Sequence, residues 1–170
     1  MTGLEARRSP RVLVRAADRP GDLGWAVLAH GEVYAEQFGW DTSFEALVAR
    51  IVADYAENHD PAREAAWIAE IDGRRAGCVF CVADEDRGVA KLRILLVMPW
   101  ARGLGVGSRL VDECVTFART AGYKRITLWT NDVLVSARRI YQAAGFALVS
   151  EEPHHSFGHD LTGQSWTLEL

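Results

Sequence analysis

The chain has 170 residues, 49% hydrophobic and 25% charged, a composition suited to one globular domain and too short for two comfortable ones. The formal net charge of −4, with arginines scattered rather than blocked, argues against nucleic acid as the main partner. No apolar run reaches the ~18 residues of a membrane span, and the start MTGLEARRSPR lacks the apolar core of a secretory signal, so a cytoplasmic protein with no membrane partner is expected.

Residues 1–10 read as an N-terminal tail and 11–170 as the domain. Residues 11–17 alternate polar and apolar, as a first strand does. Asp22 is placed to cap a helix through residues 24–39, with an interruption expected near Gly31. Thr42 or Ser43, followed by Glu45, starts a second helix whose apolar residues Phe44, Leu47, Val48, Ile51, Val52 and Tyr55 share one face. Strands over 65–72 and 76–84 flank the turn Asp72-Gly73-Arg74-Arg75. A strand over 89–97 then leads through a glycine-rich turn into a helix over 104–121, with Gly122 as its C-terminal cap. A strand over 125–131, a helix over 135–144 ended by Gly145, and strands over 146–153 and 163–170 complete the order βααβββαβαββ. Strand–helix–strand units in the middle imply parallel pairing, and the flanking hairpins imply antiparallel pairing. A mixed α/β (α+β) domain is the expectation.

Three cysteines cannot all pair within the chain. Cys78 and Cys81 form a C-x-x-C, but within a strand residues three apart point to opposite faces. Packing is the reading, and no metal is expected.

The chemistry concentrates in Leu92–Ser108, LRILLVMPWARGLGVGS. Gly103, Gly105 and Gly107 stand at every second position, so backbone can approach a ligand without side chains in the way. Arg102 precedes them, and the helix that follows presents unpaired N–H groups with a partial positive charge. Together these describe a pyrophosphate cradle. No lysine follows as in an ATP-hydrolysing P-loop, and the third glycine comes one residue too early for the dinucleotide fingerprint.

Two segments, residues 97–107 (VMPWARGLGVG) and 137–146 (ARRIYQAAGF), resemble the pyrophosphate loop and the A-x-x-x-Y-x-x-x-G-F segment of the GNAT superfamily of acetyl-CoA-dependent N-acyltransferases. The N-terminal half and the segment PHHSFGHD are also similar to the acetyltransferase half of proteins that fuse a MarR-type DNA-binding domain to a GNAT domain. The resemblance implies a GNAT fold, with a mixed sheet of about six to seven strands, splayed at the cofactor site and flanked by about four helices. It implies acetyl-CoA as cosubstrate, with a small-molecule or peptide amine as the acceptor. Homodimers are common in the family, and nothing in this sequence demands one.

Carried onto this chain, the resemblance gives backbone amides of Arg102, Gly103, Leu104, Gly105, Val106, Gly107 and Ser108 to the pyrophosphate, assisted by the Arg102 side chain. Leu95, Leu96 and Val97 would pair with the pantetheine arm like an added strand, and Pro99 ends the pairing because proline has no N–H to donate. Tyr141 would protonate the leaving thiolate and touch the cofactor. The backbone amide of Val97 or Met98 would receive the developing oxyanion. The asparagine that the family often has seven residues before the tyrosine is Leu134 here, and Asn131 is the substitute considered.

Residues 153–160 have three readings: a polar loop or substrate wall, a metal site using His154 and His159, or a general base. His154 is the candidate base, and His155 a candidate substrate contact. Glu36, Phe38 and Trp40 border the expected acceptor pocket. The reading is acetyl transfer from acetyl-CoA to a primary amine by direct attack, with a non-catalytic acyl-CoA sensor as the alternative. Transfer to a hydroxyl is a third possibility that the same loop permits.

Overall fold

The computed structural model describes residues 9–170, so all but the last two residues of the expected tail lie outside the described residues. In chain order the elements are β1 (Val12–Ala16), α1 (Asp22–Phe38), α2 (Thr42–Asn58), β2 (Ala65–Ile71), β3 (Arg74–Ala83) and β4 (Val89–Val97). A 3-10 turn (Pro99–Ala101) follows, then α3 (Val106–Thr120), β5 (Arg125–Asn131), α4 (Val135–Ala143), β6 (Ala147–Ser156) and β7 (His159–Glu169). The order is the one the sequence predicts. Seven strands make one sheet, β1-β2-β3-β4-β5-β7-β6, antiparallel throughout except for the β4–β5 pair.

Alternation along β3 builds both cores. Val79 and Cys81 face one side with Leu110, Val111, Cys114 and Ala118 of α3, while Cys78 and Phe80 face the other with Ala26, Val33, Val48 and Val52 of α1 and α2. The two cysteines therefore lie on opposite faces, as the spacing predicts.

Several boundaries differ from expectation, each for a local reason. Helix α1 runs unbroken through Gly31, a glycine over which the Glu45 side chain of α2 lies. Asp22 does not cap α1; Gly21 does, at φ 93°. The Asp22 side chain instead accepts hydrogen bonds from the Arg15 guanidinium at 2.7 and 2.9 Å, from Arg75 Nε at 3.0 Å and from the Arg19 amide at 2.9 Å. Helix α2 is capped by Asp41, whose Oδ1 accepts from the Ser43 amide at 3.0 Å, rather than by Thr42 or Ser43. The segment 153–160 is not a loop. It forms the end of a long β6–β7 hairpin, turned at Phe157 and Gly158 with φ of 57° and 82°.

One feature of the sheet creates the site. β4 and β5 pair only from Val89 to Lys91 against Arg125 to Thr127. Beyond that, Leu92–Val97 stay bonded to β3 and Leu128–Asn131 to β7, so the two strands part as a V. A bulge drives the divergence: between the Arg93–Phe80 and Leu96–Cys78 pairs, β4 supplies two residues against one of β3. Ile94 takes φ 46° there, a strained conformation for a β-branched residue.

Candidate active site

Two cavities open from the mouth of the V. The first, about 410 Å³, lies between the end of β4, the glycine loop, the start of α3 and the first turns of α4. Its β4 wall presents backbone. The Met98 amide donates to Ala76 O at 2.8 Å, toward β3. Because successive residues of a strand alternate sides, the Val97 amide points the other way, into the cleft. Of the two amides expected as oxyanion donors, Met98 is thus already occupied and Val97 is the one that faces the cleft.

The loop follows from its glycines. Gly103 and Gly105 take φ of 78° and 80°, conformations that cost other residues dearly. Gly107 lies in the first turn of α3, where a Cβ would collide with Ile140 Cδ1 of α4. The first helical bond of α3 is made by the Arg109 amide to Gly105 O at 3.1 Å, which leaves the amides of Val106, Gly107 and Ser108 at an open helix N-terminus. The Arg102 amide is turned back to Pro99 O at 3.4 Å, whereas its guanidinium reaches over the cleft to Gln37 Oε1 at 2.8 Å. Leu104 is half exposed and does not line the cleft; the other residues from 102 to 108 do.

The second cavity, about 690 Å³, lies on the α1–α2 face of the sheet, between β4 and the β5–β7 pair. Tyr34, Leu95 and Leu134 line both cavities, so the two meet at these three residues. Tyr141 reaches the second cavity from α4, packed 5.9 Å from the Phe146 ring, and burial pushes its phenol pKa well above the usual value. Burial also holds the Tyr34 phenol up at about 12. His30 lies under Tyr34, with ring centroids 5.8 Å apart. Its Nδ1–H donates to Ala26 O at 2.6 Å, and burial lowers its pKa to about 4, so the ring is neutral.

The β6–β7 hairpin forms the far wall. At its tip, Phe157 lies 4.9 Å from the Trp40 ring and 5.1 Å from the Phe44 ring. The Asp41 amide donates to Phe157 O at 3.2 Å, and His159 Nε2 donates to Gly39 O at 3.0 Å. The hairpin is thereby fastened to the α1–α2 corner.

The structure divides the expected site residues. Leu95, Leu96, Val97 and the glycine loop meet around the first cleft, with Phe38 at its edge. Tyr141, Asn131 and Trp40 lie in the second cavity, so Asn131 is not in the first cleft, where the cofactor was expected. His154 lines neither cavity. Its Nε2–H donates to Asn131 Oδ1 at 2.7 Å and its Nδ1 accepts from Ser156 Oγ at 2.9 Å, which makes it a support for Asn131. His155 faces solvent against Asp160 at 2.8 Å, and Glu36 is exposed outside both cavities. Among the described residues no group of three His, Cys, Asp or Glu side chains could hold a metal. Tyr34 at the junction and Gln37 in the first cleft belong to the segment 34–40 expected to border the acceptor pocket, whereas Ser136 and Arg139 were passed over, because only the packing of α4 brings them to the cleft.

The profile of the acetyltransferase (GNAT) family matches residues 25–146. The chain belongs to the GNAT family. The family is one of acetyltransferases. An uncharacterized N-acetyltransferase of Schizosaccharomyces pombe is 29% identical over 123 residues, covering 72% of this chain and 74% of that protein. The N-acetylaspartate synthetase of Xenopus tropicalis is 32% identical over 89 residues, covering 52% of this GNAT chain but only 33% of the synthetase. The fold matches a ribosomal-protein-alanine N-acetyltransferase from Brucella melitensis with a TM-score of 0.75 at 17% identity, over 93% of this chain and 99% of that one. It also matches the yncA protein of Salmonella typhimurium, solved with its cofactor acetyl-CoA, with a TM-score of 0.75 at 16% identity over 94% of each. No helix among the described residues is long and apolar enough to cross a membrane.

Proposed function

We propose that this protein transfers the acetyl group of acetyl-CoA to a primary amine of a small molecule or peptide by direct attack. The observation that carries the reading is the junction at Tyr34, Leu95 and Leu134. There a cleft walled by free backbone amides opens into a separate cavity holding a buried phenol. In this reading the open N-terminus of α3 and the loop glycines bind the pyrophosphate, with Arg102 beside them. The pantetheine arm lies along the unpaired edge of β4, and its thioester reaches the junction.

The amine nitrogen attacks the thioester carbonyl carbon, and the Val97 N–H stabilises the oxygen as negative charge gathers on it. The C–S bond then breaks and the sulfur takes the proton of the Tyr141 hydroxyl. The raised pKa of Tyr141 keeps that proton in place until the step. The proton that the amine sheds passes through the open cavity back to the Tyr141 oxygen and restores the phenol, and His154 acts on Asn131 rather than on the amine. The names of the relatives include an aspartate and a ribosomal alanine as amines, which supports an amine acceptor without selecting one.

Thiol release from acetyl-CoA across a panel of amines tests the reading. Amine-dependent release with stoichiometric acetylamide is expected. Tight CoA binding with no turnover on any amine would support a non-catalytic acyl-CoA sensor, and acetyl ester formation on hydroxyl compounds would move the acceptor class.

A further inference from the structure

The acceptor-side cavity contains a positive charge that the protein does not neutralise. Four charged residues line it: Lys91, Arg93, Arg125 and Glu169. Lys91 is held by Asp84 at 3.2 Å, and Arg125 by Glu169 at 2.6 Å. The Arg93 guanidinium makes no ion pair or hydrogen bond among the described residues, and the two ion pairs of the cavity involve Lys91 and Arg125 instead. Asp54 acts on it from α2 through space only, and the Asp54 Oδ1 already accepts from Asn58 Nδ2 at 2.8 Å.

Its place in the fold explains why it stands alone. Arg93 pairs in register with Phe80, whose side chain faces α1 and α2, so the arginine points to that same face. It is two residues past Lys91, where β4 has already lost β5 as a neighbour. The guanidinium is therefore at the narrow end of the V. Arg93 is an exposed residue that lines the cavity, so a ligand entering there can reach its guanidinium. The planar fork of donors matches a carboxylate or phosphate. Along β4, Arg93 lies four residues before Val97, at most ~13 Å at the rise of a strand, less the reach of the arginine side chain. One small molecule spans that gap.

We propose that the acceptor carries an anionic group, a carboxylate or phosphate, in the same small molecule as the amine, and that Arg93 binds this group. The proposal rests on the amine-acetylation reading and names the substrate class for it. Thr127 and Ser165 line the same cavity from the β5–β7 side and add hydroxyl groups across from Arg93.

Matched acceptors test it: alanine against alaninamide, β-alanine against β-alaninamide, γ-aminobutyrate against butylamine, and O-phosphoethanolamine against ethanolamine. In at least one pair the anionic member should have a kcat/KM at least ~10-fold above its neutral partner, and the winning pair separates carboxylate from phosphate. Arg93→Gln should bring that ratio toward one through KM, while Arg93→Lys should retain part of it. The preference should also shrink as ionic strength rises, a measurement that needs no variant. Equal or better use of the neutral members throughout overturns the proposal while leaving amine acetylation intact, and so does a ratio unmoved in Arg93→Gln. Absence of turnover on every amine overturns the acetylation reading, and this proposal with it.

Discussion

A phenol can act as a general acid only while it keeps its proton, and the environment of Tyr141 secures that. Burial raises its pKa above that of an ordinary phenol, which is itself protonated near neutral pH. The same burial makes its role separable from binding, because Tyr141 lines the acceptor cavity and not the first cleft. Tyr141→Phe keeps the ring packed near Phe146 and removes only the O–H. Turnover should fall by about 100-fold or more, while CoA affinity by calorimetry changes less than about threefold. A variant that retains the wild-type rate would remove Tyr141 from the mechanism. Residues such as this one were legible in the sequence because a short motif carries them. Arg93 and Arg139 were not, since each gains its meaning from an element remote in the chain. Arg93 is an unremarkable strand arginine until the parting of β4 from β5 puts it at the base of a cavity.

At the scale of elements, order and type were readable throughout, and the misreadings occurred where a side chain from another element decides the local outcome. Gly31 looks like a helix breaker, but α1 runs on through it with the Glu45 side chain of α2 lying over it. The histidine-rich segment looks like a loop because nearly every residue of β6 is exposed and Pro153 interrupts it. An edge strand tolerates both, since proline lacks only a donor that would face solvent. What holds this hairpin is at its tip, where the Phe157 ring sits against Trp40 and Phe44. Phe157→Ala should lower stability by about 2 kcal/mol in chemical denaturation, the scale of losing one partly buried aromatic. Because the tip closes the acceptor side only, the KM for amine should rise more than the KM for acetyl-CoA. Equal changes in both would mean that the hairpin does not shape the acceptor cavity.

Over the whole molecule, two buried titratable side chains, Asp22 and His30, give stability a definite pH dependence. Asp22 ties β1, β3 and α1 together through Arg15 and Arg75, and the Arg15 guanidinium holds its carboxyl well below the usual range. A group with a depressed folded pKa stabilises above its unfolded value, and that contribution is lost as pH falls through the folded one. For Asp22 the loss begins below about 4, the ordinary value for aspartate. His30 obeys the same sign at higher pH, because burial lowers it from 6.5 to about 4. Its contribution is complete above 6.5 and disappears as the unfolded chain takes up protons that the folded one refuses. Between pH 6.5 and 4 the wild-type protein should therefore lose up to about 3 kcal/mol from this one ring. His30→Phe keeps an aromatic between Tyr34 and Phe44 and has nothing to titrate. Urea unfolding at intervals of pH should show a markedly flatter profile for the variant over that window, with the steep loss below about 4 retained from Asp22. Parallel profiles for the two proteins would show that His30 takes up its proton over the same pH range folded and unfolded, and that the acid sensitivity begins elsewhere.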